Sequence, residues 1–430
     1  MNEHSVRRNF FLLHDHLNSG KAIDNTCCQE VFMNILITVL ALVVVIGVWL
    51  YFDYKLGLRA LRRKSQATST GPLASKIELI TNGEDFIDKL IEDIRKANKH
   101  IHIQFYIFRD DYIGKRMVDE LIAKAETGVD VRLLIDQFGC KLQRGTKKQL
   151  RAAGVDVAIA AKVRGPLFFF SWNRRNHRKL AVIDGHTSYL GGYNVGDEYL
   201  GRNPFFGFWR DFHVRITGEG SRAIQAQFLA DFEAATGKHI ERKSFFPDLQ
   251  AGNQPLQFIS TQGTEFEQTL LMLIRSAKNS LIIGSPYFIP TRAVMDAIIE
   301  VAQRGVLVSL ILPEKADHPL VQHGATPYVI EALQAGVLVY HYYRGFYHVK
   351  AVVADQSACL VGTPNIDKRS FHLNDEMSCL THDQTFIETV LAVLHADMHA
   401  SMTVTIEQLQ KRPLLDRVKE VTAAPLSPLL

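Results

Sequence analysis

Two histidine–lysine pairs in this 430-residue chain have the types and spacing that chemistry on a phosphate ester requires. The first stretch, HRKLAVIDGHTSYLGGYN, runs from His177 to Asn194, and the second, HVKAVVADQSACLVGTPN, from His348 to Asn365. A constant offset of 171 carries His177 onto His348, Lys179 onto Lys350, Asp184 onto Asp355 and Asn194 onto Asn365. Apolar residues fill the positions between each Lys and Asp. They predict a strand whose period of two sets His and Lys on one face. Two histidines can divide a two-step displacement at phosphorus: one attacks, and the other protonates the departing alcohol. Two lysines and two asparagines supply donors to the non-bridging oxygens, where charge develops. This set needs no metal and no other cofactor, and the remaining histidines show no recurring ligand spacing.

These residues must be placed by a scaffold, and the scaffold repeats as well. IRKANKHIHIQFYIF (94–108) corresponds to IRSAKNSLIIGSPYFI (274–289), each a helix end leading into an apolar strand that finishes near Tyr106 or Tyr287. GVDVRLLID (128–136) corresponds to GVLVSLILP (305–313), with helical patterns such as Gly114–Thr127 and Ala293–Arg304 before them. Strand–helix–strand order predicts an α/β fold of two similar halves with mixed or parallel central sheets around one pseudo-twofold site. The expected boundaries are a first half at 76–240, a linker at 241–256, a second half at 257–400 and a C-terminal helix and tail at 401–430. The pattern over 384–411 reads as one helix, stopped by Pro413.

Ahead of the halves, Val31 to Phe52 is a 22-residue run without charge, long enough as a helix to span a bilayer core. Trp49, Tyr51 and Tyr54 sit where an interfacial belt would. A tail at 1–30, an anchor at 31–54 and a basic and polar linker at 55–75 are expected. Lys55, Arg59, Arg62, Arg63 and Lys64 follow the run, whereas Lys21 is the only Lys or Arg in the twenty residues before it. That bias predicts a single-pass cell-membrane protein with its catalytic body on the cytoplasmic side. Composition (47% hydrophobic, 22% charged) excludes a disordered, collagen-like or coiled-coil chain. A net charge of +4 gives no basis for a nucleic-acid partner. Five cysteines, sparse and odd in number, argue against a disulfide framework.

The doubled HxKxxxxD followed by Gly-x-x-Asn resembles the phospholipase D superfamily. Within it, the chain is similar to the bacterial cardiolipin synthases. FRDDYIGKRMVDELIAKAETGVDVRLLIDQFG, the run at 191–199, WRDFHVRITG, SPYFIP, NDE (374–376) and the ending SPLL carry that similarity. The resemblance implies transfer of a phosphatidyl group between two phosphatidylglycerol molecules, through a phosphohistidine, giving cardiolipin and glycerol. It implies phosphatidylglycerol and anionic membrane lipids as partners. His177 is read as nucleophile and His348 as general acid and base, although the near-symmetry leaves the reverse open. Lys179, Lys350, Asn194, Asn365 and Thr363 would hold the phosphate. Glu376, 28 residues after His348, and Asp211 would orient the histidines. Asp184 and Asp355 belong to the motif, and for them both a catalytic and a strand-bracing role stand open. Many relatives carry Gly-Ser-x-Asn after each motif. Here the positions are Gly192 and Thr363, which suggests one phosphate donor fewer in the first half.

The segment KVRGPLFFFSWNRRN (162–176) leads directly into His177. It reads either as a core strand with polar ends or as an interfacial loop that inserts aromatics and binds anionic headgroups. Three other functions compete with cardiolipin synthesis: a hydrolase or a transferase to another alcohol, a nuclease of the same superfamily, and a non-catalytic scaffold.

Overall fold

Apolar strands alternating with amphipathic helices build the same sheet twice. The computed structural model describes residues 25–64, 67–263, 265–317, 319–413 and 419–420. Neighbouring strands in the first half are Leu73–Ile80, His213–Gly218, Thr187–Gly191, Leu180–Ile183, His100–Phe105, Asp130–Asp136 and Asp156–Ala160. The second half repeats that order with Gln254–Gln262, Asp375–Thr381, Ala358–Gly362, Ala351–Ala354, Ser280–Gly284, Leu307–Pro313 and Leu338–Tyr342. The last three strands of each half run parallel and the others antiparallel. Helices Tyr112–Glu126 and Arg292–Gln303 make equivalent crossovers.

The halves do more than face each other. Their leading strands pair antiparallel, with Leu73 opposite Leu256, so the two sheets fuse into one of sixteen strands among the described residues. Each leading strand would otherwise be an open edge with unpaired backbone groups. A core straddles the seam, with Leu180, Leu190 and Val214 from the first half against Phe258, Val353, Val361 and Met377 from the second. The two motif hairpins are therefore held on one continuous support.

Three expected boundaries shift. The linker over 55–75 is largely ordered: the N-terminal helix continues to Lys64, Thr68–Ser69 pairs with Ile259–Ser260, and the first half opens at Leu73. The linker over 241–256 gives way to strand at Gln254, and its Phe245 packs on His100 and His102. The helix expected over 384–411 ends at His399. Ser401–Thr403 then adds an edge strand to Tyr340–Tyr342, and Ile406–Gln410 forms a short capped helix. The β-branched run Thr403–Val404–Thr405 favours this extended path, and the strand covers an otherwise open edge. The aromatic segment is neither strand nor loop but a short helix, Phe168–Asn173. Cys359 and Cys379 are buried and Cys140 is half-buried; all three are free thiols.

The N-terminal helix, Asn25–Lys64, contains a span, Phe32–Arg63, long and apolar enough to cross a membrane. Its side chains Ile35, Val45 and Trp49 are exposed, as a lipid-facing surface requires. The chain up to Leu56 and the body from Gly57 onward are separate compact units. Residues 1–24 of the expected tail and the SPLL ending lie outside the described residues.

Candidate active site

Each motif histidine stands on an extended segment just ahead of its strand, and each segment is stitched to the opposite half. The His177 backbone N–H donates to the Asp375 carbonyl at 3.0 Å, and the His348 N–H donates to the Arg210 carbonyl at 2.7 Å. This stitching delivers carboxylates across the seam. His177 Nδ1 lies 2.9 and 3.0 Å from the Glu376 carboxylate oxygens, and His348 Nδ1 lies 2.5 Å from Asp211 Oδ2. Each histidine is thus oriented by a carboxylate from the other half. An ionised partner keeps the proton on Nδ1 and leaves the Nε2 lone pair free to attack or to take a proton.

Electrostatics support that assignment. Burial pulls His177 down to about 4, against the opposing attraction of Glu376. Burial, aided by Lys350, pulls His348 down to about 3. Burial alone would raise Glu376, but His177, Lys179 and the Thr363 hydroxyl outweigh it and bring the carboxyl to about 2. Asp211 is likewise lowered, because Lys350 and His348 outweigh its burial. Lys179 falls to about 7 and Lys350 to about 8, again chiefly through burial. Each lysine feels the charges of Glu376 and Asp211, so the two halves form one buried cluster.

The two histidines are not equivalent. Lys350 Nζ sits 2.7 Å from His348 Nδ1 and donates to the His348 carbonyl. Lys179 instead donates to the His177 carbonyl at 2.7 Å and rests against Tyr106. Arg178, between His177 and Lys179, is fully buried, pairs with Asp231, and donates to the Glu376 and Thr261 carbonyls. Its counterpart in the second half is Val349, buried in the apolar seam. The repeat itself exposes this mismatch, yet Arg178 and Asp231 were not among the residues expected at the site.

One pair of expected site residues lies elsewhere. Asp184 and Asp355 end their strands about seven residues beyond the histidines, on the order of 23 Å along an extended chain. Each carboxylate accepts three backbone N–H groups: those of Asn98, Lys99 and His100 for Asp184, and of Lys278, Asn279 and Ser280 for Asp355. Both residues adopt left-handed backbone, φ 53° and 52°, at the hairpin turns. Of the two roles left open, these contacts are those of a brace.

Thr363, expected on the phosphate, is fully buried. Its hydroxyl donates to Glu376 Oε2 at 2.5 Å and accepts from the Met377 N–H. It positions the carboxylate. Gly192, its counterpart, is not a missing donor: a Cβ there would stand 2.1 Å from Asp211 Oδ1. The glycine makes room for the carboxylate that serves His348. Asn194 accepts from the Ile107 N–H at 3.0 Å, and Asn365 donates to Asp367 at 3.0 Å, so both amides are tied to neighbouring loops. Ser370, whose hydroxyl donates to Glu376 Oε1 at 3.1 Å, is a further positioning group without a distinguishing motif. Among the described residues, no group of three or more His, Cys, Asp or Glu is arranged to hold a metal ion.

A twofold-repeated sheet carrying two carboxylate-backed His–Lys pairs at one seam defines the class: a phospholipase D-like enzyme. Comparison with known proteins agrees. The family described as "Cardiolipin synthase, PLD-like domain" matches residues 90–205 and 270–398. The minor cardiolipin synthase ClsB of Bacillus subtilis is 38% identical over 92% of this chain and 99% of its own length. The major synthase ClsA of the same organism is 41% identical over 83% of this chain and 76% of its own. A phosphatidylserine synthase from Haemophilus influenzae shares the fold, with a TM-score of 0.65 at 17% identity over 88% of this chain and all of its own. The chain belongs to the cardiolipin synthase family of phosphatidyl transferases. With its apolar N-terminal helix, it is a membrane-associated enzyme.

Proposed function

We propose that the enzyme makes cardiolipin from two molecules of phosphatidylglycerol, with His177 as nucleophile and His348 as general acid and base. The observation that carries the division of labour is the unequal surroundings of the two Nδ1 atoms. Glu376 alone backs His177 and raises its basicity, which suits a nucleophile. Asp211 and the Lys350 ammonium share His348 Nδ1. The cation makes a protonated His348 the stronger acid, which suits proton delivery to a leaving group.

In the first step, His177 Nε2 attacks phosphorus, the bond from phosphorus to the glycerol oxygen breaks, and the Nε2 proton of His348 goes to that oxygen. In the second, the hydroxyl of another phosphatidylglycerol gives its proton to His348 and attacks phosphorus. The bond from His177 to phosphorus then breaks, and cardiolipin leaves. With both lysines protonated, two ammoniums balance the two carboxylates in the cluster, and an anionic substrate favours that state. The single negative charge of a phosphodiester therefore favours one extra proton, which the histidine pair takes up. Lys179, Lys350, Asn194 and Asn365 form the donor set around the non-bridging oxygens.

The helix over the apolar span crosses the membrane once, with the body on the cytoplasmic side, because the basic residues after it remain there. The test of the reaction is purified enzyme in phosphatidylglycerol vesicles with a chelator present. Equal amounts of cardiolipin and glycerol support the reading. Phosphatidic acid as the sole lipid product refutes it in favour of hydrolysis.

A further inference from the structure

Transfer between two phospholipids brings two sets of acyl chains to one buried centre, and the surface offers two aromatic routes inward. The first begins at Phe168 and Trp172, 45% and 47% exposed. Their rings lie 5.5 Å apart, and Trp172 is 5.2 Å from Phe138. The Arg175 guanidinium stands 4.2 Å over Phe138 and interacts electrostatically with Tyr106, whose ring is 5.0 Å from His177. The second begins at Phe205, 65% exposed, 5.0 Å from Phe206. Phe206 lies 5.3 Å from both Trp209 and Phe346, which lie 5.1 and 5.8 Å from His348. Beside it, a cavity of about 200 Å³ is lined by Phe205, Phe206 and Phe346 with two cations, Lys315 and Arg344, and one carboxylate, Glu314.

The routes differ in origin. Helix Phe168–Asn173 lies within residues 161–176, which join the last first-half strand to His177. The corresponding second-half connection is only residues 343–347. The second route instead uses the insert 201–208 of the first half. Two independent elaborations thus lead from solvent to different histidines, each with cations beside its aromatics. Aromatic rings beside guanidinium or ammonium groups suit the interfacial zone of an anionic lipid, where apolar chain meets charged headgroup.

We infer that these are two lipid tracks. The Phe168–Trp172–Phe138 track seats the donor phospholipid whose phosphorus meets His177. The Phe205–Phe206 track seats the acceptor phospholipid whose hydroxyl meets His348. This assignment rests on the reaction proposed above and deepens it. It also explains why large aromatics stand in water at these two places: anionic phospholipid covers them during turnover.

The full-length enzyme in phosphatidylglycerol vesicles tests this with two readouts. Exchange of labelled free glycerol into phosphatidylglycerol needs one lipid, whereas cardiolipin formation needs two. The donor-track variant is Phe168→Ser/Trp172→Ser. The acceptor-track variants are Phe205→Ser alone, at a surface position that does not threaten the fold, and Phe205→Ser/Phe206→Ser. Donor-track loss is expected to lower exchange and cardiolipin together, by about tenfold, the scale of one lost aromatic contact. Acceptor-track loss is expected to lower cardiolipin about tenfold more than exchange. Equal effects of both sets on both products, no effect of either, or the reverse selectivity overturns the assignment. A wild type that makes neither product overturns the proposed reaction, and the tracks with it.

Discussion

Replacing Gly192 by serine separates two accounts of the first motif with opposite signs. If the glycine is a lost phosphate donor, Gly192→Ser restores a hydroxyl and activity rises. The structure predicts collapse. A Cβ at this position stands 2.1 Å from Asp211 Oδ1 and 2.4 Å from both Cγ and Oδ2. Ordinary contact needs about 3.4 Å or more, so the carboxylate must retreat by roughly 1.3 Å. Asp211 is fully buried and its hydrogen bond to His348 is 2.5 Å long. A retreat of that size breaks it, because a donor and acceptor nearly 4 Å apart no longer bond. A charge-assisted bond of this kind contributes about 1.5–3 kcal/mol. The expected loss in kcat is therefore about 10- to 150-fold, with KM little changed because the phosphate donors remain. Thr363→Ala is the milder counterpart, since Glu376 keeps His177 and Ser370. It removes one neutral donor, about 1 kcal/mol, for a loss of about fivefold. The assay is cardiolipin formation in phosphatidylglycerol vesicles with thermal melting of each variant. Wild-type or higher activity in Gly192→Ser would refute both the spatial argument and the orienting role of Asp211.

Further expectations follow from the same contacts. Asp184→Ala and Asp355→Ala each orphan three backbone N–H groups at a turn. They should lower the melting temperature while kcat per folded enzyme persists; loss of kcat without loss of stability would return these residues to the chemistry. Asp231→Ala leaves Arg178 charged and buried, at a cost of about 3–5 kcal/mol in chemical denaturation. Arg178→Met/Asp231→Leu should recover much of that stability but keep a low kcat, since the Glu376 carbonyl loses its donor. Acid sensitivity has a definite sign. His177, His213, His341 and His348 are lowered by burial to about 4, 3, 4 and 3, so between pH 6.5 and about 4 the unfolded chain takes up protons that the folded enzyme refuses. The histidines' contribution to stability is complete above pH 6.5 and falls as pH drops, by about 2 kcal/mol per histidine at pH 5. Melting curves from pH 7 to 5 that do not shift would contradict the buried neutral histidines.

Much of this was legible in the sequence because the chain says it twice. The offset of 171 aligned the motif histidines, and strand–helix alternation gave the half-fold. The contacts that complete the site were harder to read because they cross between halves. Glu376 serves His177 from 199 positions away, and Asp211 serves His348 from 137. A motif shows the types of these carboxylates but not which histidine each meets. Gly192 and Thr363 were misread for a related reason: a position that differs between repeats looks like a gain or loss of function, whereas here each residue fits the carboxylate beside it. The break after His399 depended on an edge strand with an open partner, which local helical periodicity does not register. Arg178 was hidden in plain view, since its burial follows only from Asp231 on a distant helix.

The most direct test is lipid analysis in a host without cardiolipin synthases of its own, expressing the wild type, His177→Ala or His348→Ala. Cardiolipin measured by mass spectrometry should appear with the wild type and fall to background with either variant. Cardiolipin persisting with either substitution in folded protein, or absent from the wild type, would contradict a two-histidine phosphatidyl transfer at this seam.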